Sequence, residues 1–535
     1  MDDAAADALS AGTEHPGIRW GPFTTRIPFV HTGVTWPELL QGVFVAGATG
    51  LGLVPLLQAY FGLTFEESVT CVIIESILIC SAPIIFGEPY ASGWITPALP
   101  LVLLVLLAEP GGVPTYPTPA EKFQFMTAVS INFAVLLFIL GATGLGRRLI
   151  KWLPPALKGG IIMGAAIAAL KRVFVDSDYL SQQPVALLTS LTLCLALTFS
   201  APVQKYKHRY RWLGLIAGLG LLPGFAAAAL VGPFFDSPVP QVVQVQKVVD
   251  GAPVYDKAGD AVMVDKMVPK VDDAGEPVYD EGGEPVLVAE TRTVKEVEYD
   301  LGWKGSTPTF DELILIPPFE SFWKKCSPFY IGWPSPKMFL DTILLAFMGY
   351  VILFGDLITG TEVLRMAAPA RPDEKIDINY NRSHFSLSIR NGLMALFAPF
   401  FPTQGCLWTG VQVIIAQRWS EGRKSMDSFY TGVSSYYVFG IPALYLALPL
   451  LMGLKPLLGI ALSLTLVLTG FACAYIAMEI PKTQIERGVV ILMAVTLAVF
   501  SQPWIGMLVG IVATALLVGF DREPVEPLEH DQPAE

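Results

Sequence analysis

Fourteen apolar segments recur along the chain, and they constrain its fold more than any other feature. A helix that crosses a bilayer needs about 20 mostly apolar residues. The segments of suitable composition are 38–60, 68–86, 92–108, 125–143, 155–172, 184–202, 213–231, 338–358, 384–401, 404–418, 429–451, 455–478, 487–501 and 503–519. Hydrophobic residues make up 53% of the 535 residues and charged residues only 15%, too little charge to cover soluble domains of this length. The sequence therefore predicts an all-α polytopic membrane protein with two groups of seven spans.

Basic residues in the short loops predict how these spans are oriented. They concentrate after the even-numbered spans, at Arg147, Arg148, Lys151, Lys205, Lys207, Arg209, Arg211, Arg365, Arg371, Lys375, Arg382, Arg418, Arg423, Lys424, Lys482 and Arg487. Because lysine and arginine accumulate in cytoplasmic loops, we expect fourteen crossings of the cell (inner) membrane and both termini in the cytoplasm. Lys171 and Arg172 after the fifth span are the main exception, and we expect them to reach the interface from a helix end.

Five regions follow from this arrangement. They are a cytoplasmic N-terminal tail (1–37), a first seven-span repeat (38–231), an extracytoplasmic acidic insertion (232–337), a second seven-span repeat (338–519) and a cytoplasmic C-terminal tail (520–535). Within the insertion, GAPVYD at 251–256 recurs as GEPVYD at 275–280. Each unit has the pattern of a strand, a glycine turn and a strand, which predicts two small β-hairpins. We interpret the insertion as a solvated acidic decoration.

Several classes of function have no support in the sequence. The net charge is −12, and the absence of a large basic patch argues against a nucleic-acid partner. Six cysteines lack metal-ligand spacing, and the chain carries neither nucleotide-binding nor membrane-hydrolase motifs. We therefore expect no metal, no cofactor and no enzymatic activity. A channel or a membrane receptor remains a distant alternative to a transporter.

Two interrupted spans predict where a substrate binds. Glycine- and proline-rich stretches at 86–97 and 401–409 open the third span of each half. Such breaks leave backbone N–H groups free at mid-membrane, where they and the helix dipole can hold a polar ligand. The predicted substrate-binding residues in them are Ser92, Gly93, Trp94, Gln404, Gly405, Cys406, Trp408 and Thr409, with the two tryptophans as an aromatic wall. The alternative is a pair of proline-kinked packing helices.

Three acidic residues inside or near spans are candidates for proton coupling, because ionisable groups in a bilayer usually face a polar cavity. Asp356 is the first of these and also a candidate substrate contact, with a carboxylate satisfied by the amides of a glycine-rich turn as the alternative. Glu362 either acts in coupling or lies at the interface beside Arg365. Glu75 either acts in coupling or is a structural hydrogen-bonding residue.

The chain resembles the nucleobase–cation symporters, the family of xanthine, uracil and guanine–hypoxanthine permeases. Their superfamily includes sulfate and bicarbonate anion transporters. Residues 142–170 look like the loop between spans four and five of those permeases, residues 352–367 look like their acidic eighth span, and residues 401–412 lie where their tenth-span signature belongs. Trp408 and Thr409 depart from both relatives, since nucleobase permeases usually place an acid and an asparagine there and sulfate-type relatives often carry Arg-Thr.

The resemblance implies a transporter built from two inverted seven-span repeats. Spans 1–4 and 8–11 would form a substrate-binding core, and spans 5–7 and 12–14 a gate against which the core moves. The implied activity is proton-coupled uptake of a nucleobase-like heterocycle by alternating access, and transport of an inorganic anion such as sulfate or bicarbonate is the alternative. Implied partners are the substrate, the coupling ion, the lipid bilayer and a possible second copy of the chain.

Overall fold

Helices form most of the chain that the structure describes. The computed structural model describes residues 12–50, 53–95, 116, 118–146, 148, 153–175, 180, 183–207, 209–235, 254–255, 261–269, 287–292, 314–438, 446–447, 458–499 and 503–519. Its helices are α1 (Trp36–Gln41), α2 (Gly47–Gly50), α3 (Leu53–Phe61), α4 (Phe65–Ile84), α5 (Pro119–Thr143), α6 (Pro155–Phe174), α7 (Pro184–Phe199), α8 (Ala201–Tyr206), α9 (Arg211–Gly218), α10 (Leu222–Phe235), α11 (Phe319–Cys326), α12 (Pro328–Ile331), α13 (Pro336–Ala367), α14 (Tyr380–Phe397), α15 (Thr409–Ser420), α16 (Phe429–Val438), α17 (Leu458–Glu479), α18 (Gln484–Val499) and α19 (Pro503–Leu517). The predicted all-α architecture is confirmed.

Four helices in the described part of the chain are long and apolar enough to cross a membrane. They are α4, α5, α13 with its extension to Ala370, and residues 459–479 of α17. Every predicted span except the third contains a described helix, and residues 96–108 of the third lie outside the described residues. The first span is divided, because a π-helical turn (Gly42–Ala46) separates α1 from α2. The number of crossings and their orientation stay predictions.

Capping boxes fix where α4 and α5 begin. The Thr64 hydroxyl accepts a hydrogen bond from the Glu67 N–H at 3.2 Å, and the Glu67 carboxylate accepts one from the Thr64 N–H at 2.9 Å. Thr118 and Glu121 repeat the arrangement at the start of α5. Each box satisfies N–H groups that the first turn of a helix leaves without a partner.

The helices pack in groups, two of which combine the two halves of the sequence. The most extensive interfaces join α5 to α13 and α14, α6 to α17 and α18, and α7 to α10. Antiparallel packing of α5 on α14 is fixed by two hydroxyls, since Thr127 donates to the Ala395 carbonyl at 3.3 Å and Ser388 to the Ala134 carbonyl at 2.7 Å.

The insertion contains both strands and helices. An antiparallel sheet has the order β4 (Val254–Tyr255), β5 (Ala261–Pro269) and β6 (Leu287–Arg292). Strands β4 and β5 form a hairpin from the first repeat unit, and β6 pairs with β5, while residues 275–286 of the second unit lie outside the described residues. The helices α11 and α12 were not predicted from the sequence; both pack against α5, and α11 also packs against α4.

The N-terminal segment, assigned from sequence to a tail, is folded onto the helices from residue 12. Its strands are β1 (Thr13–Glu14), β2 (Ile18–Trp20) and β3 (Phe23–Thr25), and β1 pairs in parallel with β7 (Glu374–Lys375). Arg26 is 1% exposed, and its N–H donates to the Ile84 carbonyl at 2.8 Å. Its guanidinium lies 3.7 Å from the centroid of the Tyr430 ring. This segment therefore fixes the end of α4, where the first interruption begins.

Candidate functional site

The two interruptions predicted from the sequence cross and bond to each other. We call residues 85–95, after α4, the first break, and residues 398–408, before α15, the second break; neither is helical. Three backbone hydrogen bonds pair them in antiparallel fashion: Ile95 N–H to the Pro402 carbonyl at 2.9 Å, Gly405 N–H to the Gly93 carbonyl at 2.8 Å, and Trp408 N–H to the Ala91 carbonyl at 2.5 Å. Segments that are about 310 residues apart in sequence thus form one element, most of whose residues are buried.

Close approach at this crossing requires glycine in both breaks. A Cβ atom on Gly405 would lie 2.6 Å from the Gly93 carbonyl oxygen, and a Cβ atom on Gly93 would lie 2.8 Å from Cβ of Trp408. Carbon atoms normally approach to about 3.5–4.0 Å, so either side chain would push the breaks apart. The N–H group of Gly405, expected to face a ligand, donates to Gly93 instead.

Side chains from α15 and α16 hold the first break. The Gln412 amide is bidentate, because its Oε1 accepts from the Ala91 N–H at 2.7 Å and its Nε2 donates to the Pro89 carbonyl at 3.2 Å. The Tyr437 hydroxyl donates to the Ser92 carbonyl. Extended backbone in an apolar interior needs such partners, and here they satisfy three of its polar groups.

Glu75 of α4 holds the second break. Its side chain is 1% exposed. Gln404 Nε2 donates to Glu75 Oε2 at 2.7 Å and to the Glu75 carbonyl at 3.1 Å, and the Thr403 hydroxyl also donates to Oε2. These contacts match the structural alternative for Glu75. Its second oxygen, Oε1, is buried without a hydrogen-bond partner among the described residues, so a coupling role stays a prediction.

Arg390 of α14 lies against the second break on the side opposite Glu75. It was not among the site residues predicted from the sequence. Its Nη1 and Nη2 each donate to the Gly405 carbonyl at 3.2 Å, and Nη1 lies 3.5 Å from Gln404 Oε1. The Gln404 amide therefore connects a buried carboxylate on one side to a buried guanidinium on the other. An arginine in the middle of an apolar span was itself a signal of a polar site.

Asp356 lies near Cys406, at the end of the second break that leads into α15. It is partly exposed within α13, and no hydrogen bond or ion pair joins it to another described residue. Its carboxyl group interacts electrostatically with Cys406 and Cys473, and Cys473 contacts the hydroxyl of Thr409 at the start of α15. The glycine-rich turn offered as its alternative partner is absent, because α13 is helical throughout residues 336–367.

Glu362 lies six residues further along α13 and pairs with Arg365, with 2.8 Å between Oε1 and Nη1. Both side chains of this pair are partly exposed. The contact matches the interfacial alternative for Glu362, and the structure does not bring this side chain into contact with the two breaks.

The two tryptophans differ in their contacts. Trp408 is partly exposed and lies edge-on to the Tyr436 ring, with 6.3 Å between centroids. Trp94 is partly exposed and packs against the apolar core. The hydroxyls of Ser92 and Tyr436 are buried near Trp408 and have no partner among the described residues. The crossing therefore has two unused hydroxyl donors beside an indole ring.

No protein-family model and no curated protein matches the chain. Among solved structures, it is similar over 91% of its length to the murine Solute Carrier 26 family member A9 anion transporter in the inward-facing state, with 15% identity, a TM-score of 0.41 and 69% of that chain covered. It is also similar over 91% of its length to the transmembrane domain of a cyanobacterium bicarbonate transporter, BicA, with 13% identity, a TM-score of 0.35 and 99% of that chain covered. Similarity at this level assigns neither a family nor a substrate.

Proposed function

We propose that this chain is a secondary active transporter that carries a small anion, of the sulfate or bicarbonate kind, by alternating access. The observation that carries the proposal is the crossing of the two breaks with Arg390 buried directly behind it. A ligand beside the crossing would meet the positive end of α15, whose N-cap residue Trp408 provides no side-chain cap. Helix N-termini and guanidinium groups both favour negative charge.

Asp356 supplies the coupling step in this proposal. A carboxylate near the site opposes binding of an anion unless a proton or a cation neutralises it. Because Asp356 has no partner among the described residues, it is available for that ion. Anion and coupling ion then bind together, and the site alternates between two states in which both are present or both are absent. Glu75 is the second candidate for the coupling group and Glu362 the third.

The packing of the helices supports two bodies that move relative to each other. The most extensive contacts of α5 (span four) are with α13 and α14 (spans eight and nine), and those of α6 (span five) are with α17 and α18 (spans twelve and thirteen). Smaller contacts, of α13 with α6 and of α15 with α17, join the two groups. This division agrees with a core of spans 1–4 and 8–11 and a gate of spans 5–7 and 12–14 in two inverted repeats. A homodimer in the inner membrane with both termini in the cytoplasm completes the proposal.

A nucleobase-like heterocycle carried with a proton is the second candidate. The partly exposed indole of Trp408 favours it, because a flat ring stacked on an indole gains about 0.5–1.5 kcal/mol. An anion the size of sulfate gains nothing from stacking. The two candidates therefore make opposite predictions for removal of this side chain.

A thermal-shift screen of the purified protein separates them. The ligands are sulfate, bicarbonate, purines and pyrimidines, and the proteins are the wild type, Trp408→Ala and the control Trp212→Ala, whose indole is 61% exposed away from the crossing. We expect an anion to stabilise all three proteins. Stabilisation by a purine or pyrimidine that is lost only in Trp408→Ala would replace the anion with a heterocycle.

Proteoliposomes test the coupling group. Asp356→Asn should abolish accumulation driven by a pH gradient while leaving folding intact, and the control Glu320→Gln, which changes an exposed carboxylate in α11, should retain it. If Asp356→Asn keeps the gradient dependence of the wild type, Asp356 is not the coupling group, and Glu75→Gln becomes the variant to examine.

A further inference from the structure

A polar pocket lies away from the crossing, between the start of α1 and the loop after α15. Its volume is about 330 Å³, and it is lined by residues 33–37, by Arg418 and residues 423–427, and by Thr431. None of the candidate substrate or coupling residues contributes to it. Its chemistry is therefore independent of the proposed transport site.

Three cations line this pocket. Arg418 lies 3.1 Å from the buried carboxylate of Glu38, and Arg423 Nε donates to Asp373 at 2.5 Å. Lys424 is exposed and has no ion pair with a described residue. The two guanidinium groups are thus held in place by carboxylates, while the ammonium group of Lys424 is available to an external anion.

A buried hydroxyl adds a hydrogen-bond donor at the back of the pocket. Thr431 is 1% exposed, and its Oγ1 has no hydrogen-bond partner among the described residues. A buried hydroxyl without a partner is unfavourable, and a ligand oxygen in the pocket would supply that partner. Two guanidinium groups, an ammonium and a hydroxyl outnumber the one carboxylate that lines the pocket, that of Asp427, and such donors are suited to phosphate oxygens.

An exposed indole puts the mouth of the pocket at the membrane surface. Trp36 lines the pocket, is 68% exposed and is the first residue of α1, just before the first predicted span. Tryptophan concentrates at the level of lipid headgroups, and basic pockets beside spans bind anionic headgroups. We propose that this pocket binds a phosphate ester, whose sources are the headgroup of an anionic phospholipid and a soluble phosphate ester.

The test uses the full-length protein in nanodiscs of phosphatidylcholine. Dioctanoyl phosphatidic acid, glycerol 3-phosphate and inorganic phosphate are titrated by calorimetry into the wild type, Lys424→Ala, Thr431→Val and the control Lys205→Ala, which removes an exposed lysine elsewhere. Loss of one charge-assisted contact should weaken binding about tenfold in Lys424→Ala, with Lys205→Ala like the wild type. Raising the salt concentration from 0.1 to 0.5 M should also weaken binding.

The three probes distinguish the sources of the phosphate. Binding of phosphatidic acid alone identifies a lipid headgroup, and equal binding of glycerol 3-phosphate identifies a soluble ester. The proposal is overturned if no probe binds, or if Lys424→Ala binds every probe as tightly as Lys205→Ala does. Lys424 is exposed, so its variant keeps the test valid even if Thr431→Val is unstable.

Discussion

Replacing Gly405 with alanine tests the crossing of the two breaks directly. The new Cβ atom would lie 2.6 Å from the Gly93 carbonyl oxygen, whereas ordinary contact begins at 3.4 Å. Both groups belong to rigid backbone, so the breaks must separate by about 0.8 Å. That movement lengthens the hydrogen bond from Gly405 to Gly93, now 2.8 Å, beyond the normal range. Overpacking costs about 1–3 kcal/mol and the lost bond about 1 kcal/mol.

We therefore expect Gly405→Ala to lower the free energy of unfolding by about 2–4 kcal/mol, measured by thermal and denaturant unfolding in one detergent. Gly488→Ala is the control, because no heavy atom lies within 4 Å of its added Cβ. Alanine in the helix α18 should be neutral or stabilising by up to about 1 kcal/mol. Equal stability of the two variants would refute the tight crossing.

Three further predictions concern the periphery. Arg26→Lys should expose the N-terminal segment to proteolysis, because lysine cannot stack its charge on Tyr430 as a planar guanidinium does. The control is Arg19→Lys, since the Arg19 side chain is 73% exposed. Equal cleavage of the two variants would contradict the packing of Arg26 on Tyr430. A hydrogen bond from Arg371 lowers the pKa of Asp373. The ionised Asp373 carboxylate therefore stabilises the fold above about pH 4, and this contribution is lost as the pH falls further. Unfolding curves of the wild type and Asp373→Asn should differ at pH 6 and converge towards pH 2, and a constant difference would exclude this cause. Asp280→Cys should react with an impermeant thiol reagent on intact cells, and labelling only after lysis would reject the predicted topology.

Hydropathy and turn-forming residues predicted the helices and both interruptions. Apolar segments of about 20 residues have few alternatives to helix in a bilayer, and proline beside glycine marks where a helix is interrupted. The glycine- and proline-rich stretches at 86–97 and 401–409 therefore predicted the positions of the two breaks. Local sequence was sufficient for these features because each depends on neighbours along the chain.

Local sequence could not predict how the breaks meet. The pairing of Gly405 with Gly93 depends on contact between residues distant in sequence, and so does the bidentate contact of Gln412 with the first break. Glu75 was identified as an ionisable residue in a span, but only the structure reveals Gln404 as its partner. Arg390 differs from these, since its position within an apolar span was visible in the sequence.

The N-terminal segment was missed for another reason. Its composition is polar, and polar composition at a terminus is typical of a flexible tail. Order is imposed instead by tertiary contacts, through pairing of Thr13 and Glu14 with β7 and burial of Arg26 against Tyr430. A pattern of polar residues carries no information about such distant partners.

Uptake into proteoliposomes tests the central claim most directly. Purified protein is reconstituted with an imposed pH gradient, and labelled sulfate, bicarbonate, uracil and xanthine are offered separately. We expect saturable accumulation of one of the anions, inhibited by other anions and unaffected by nucleobases. Accumulation of a nucleobase without any anion, or no accumulation of either class, would contradict an anion site at the crossing of the two breaks.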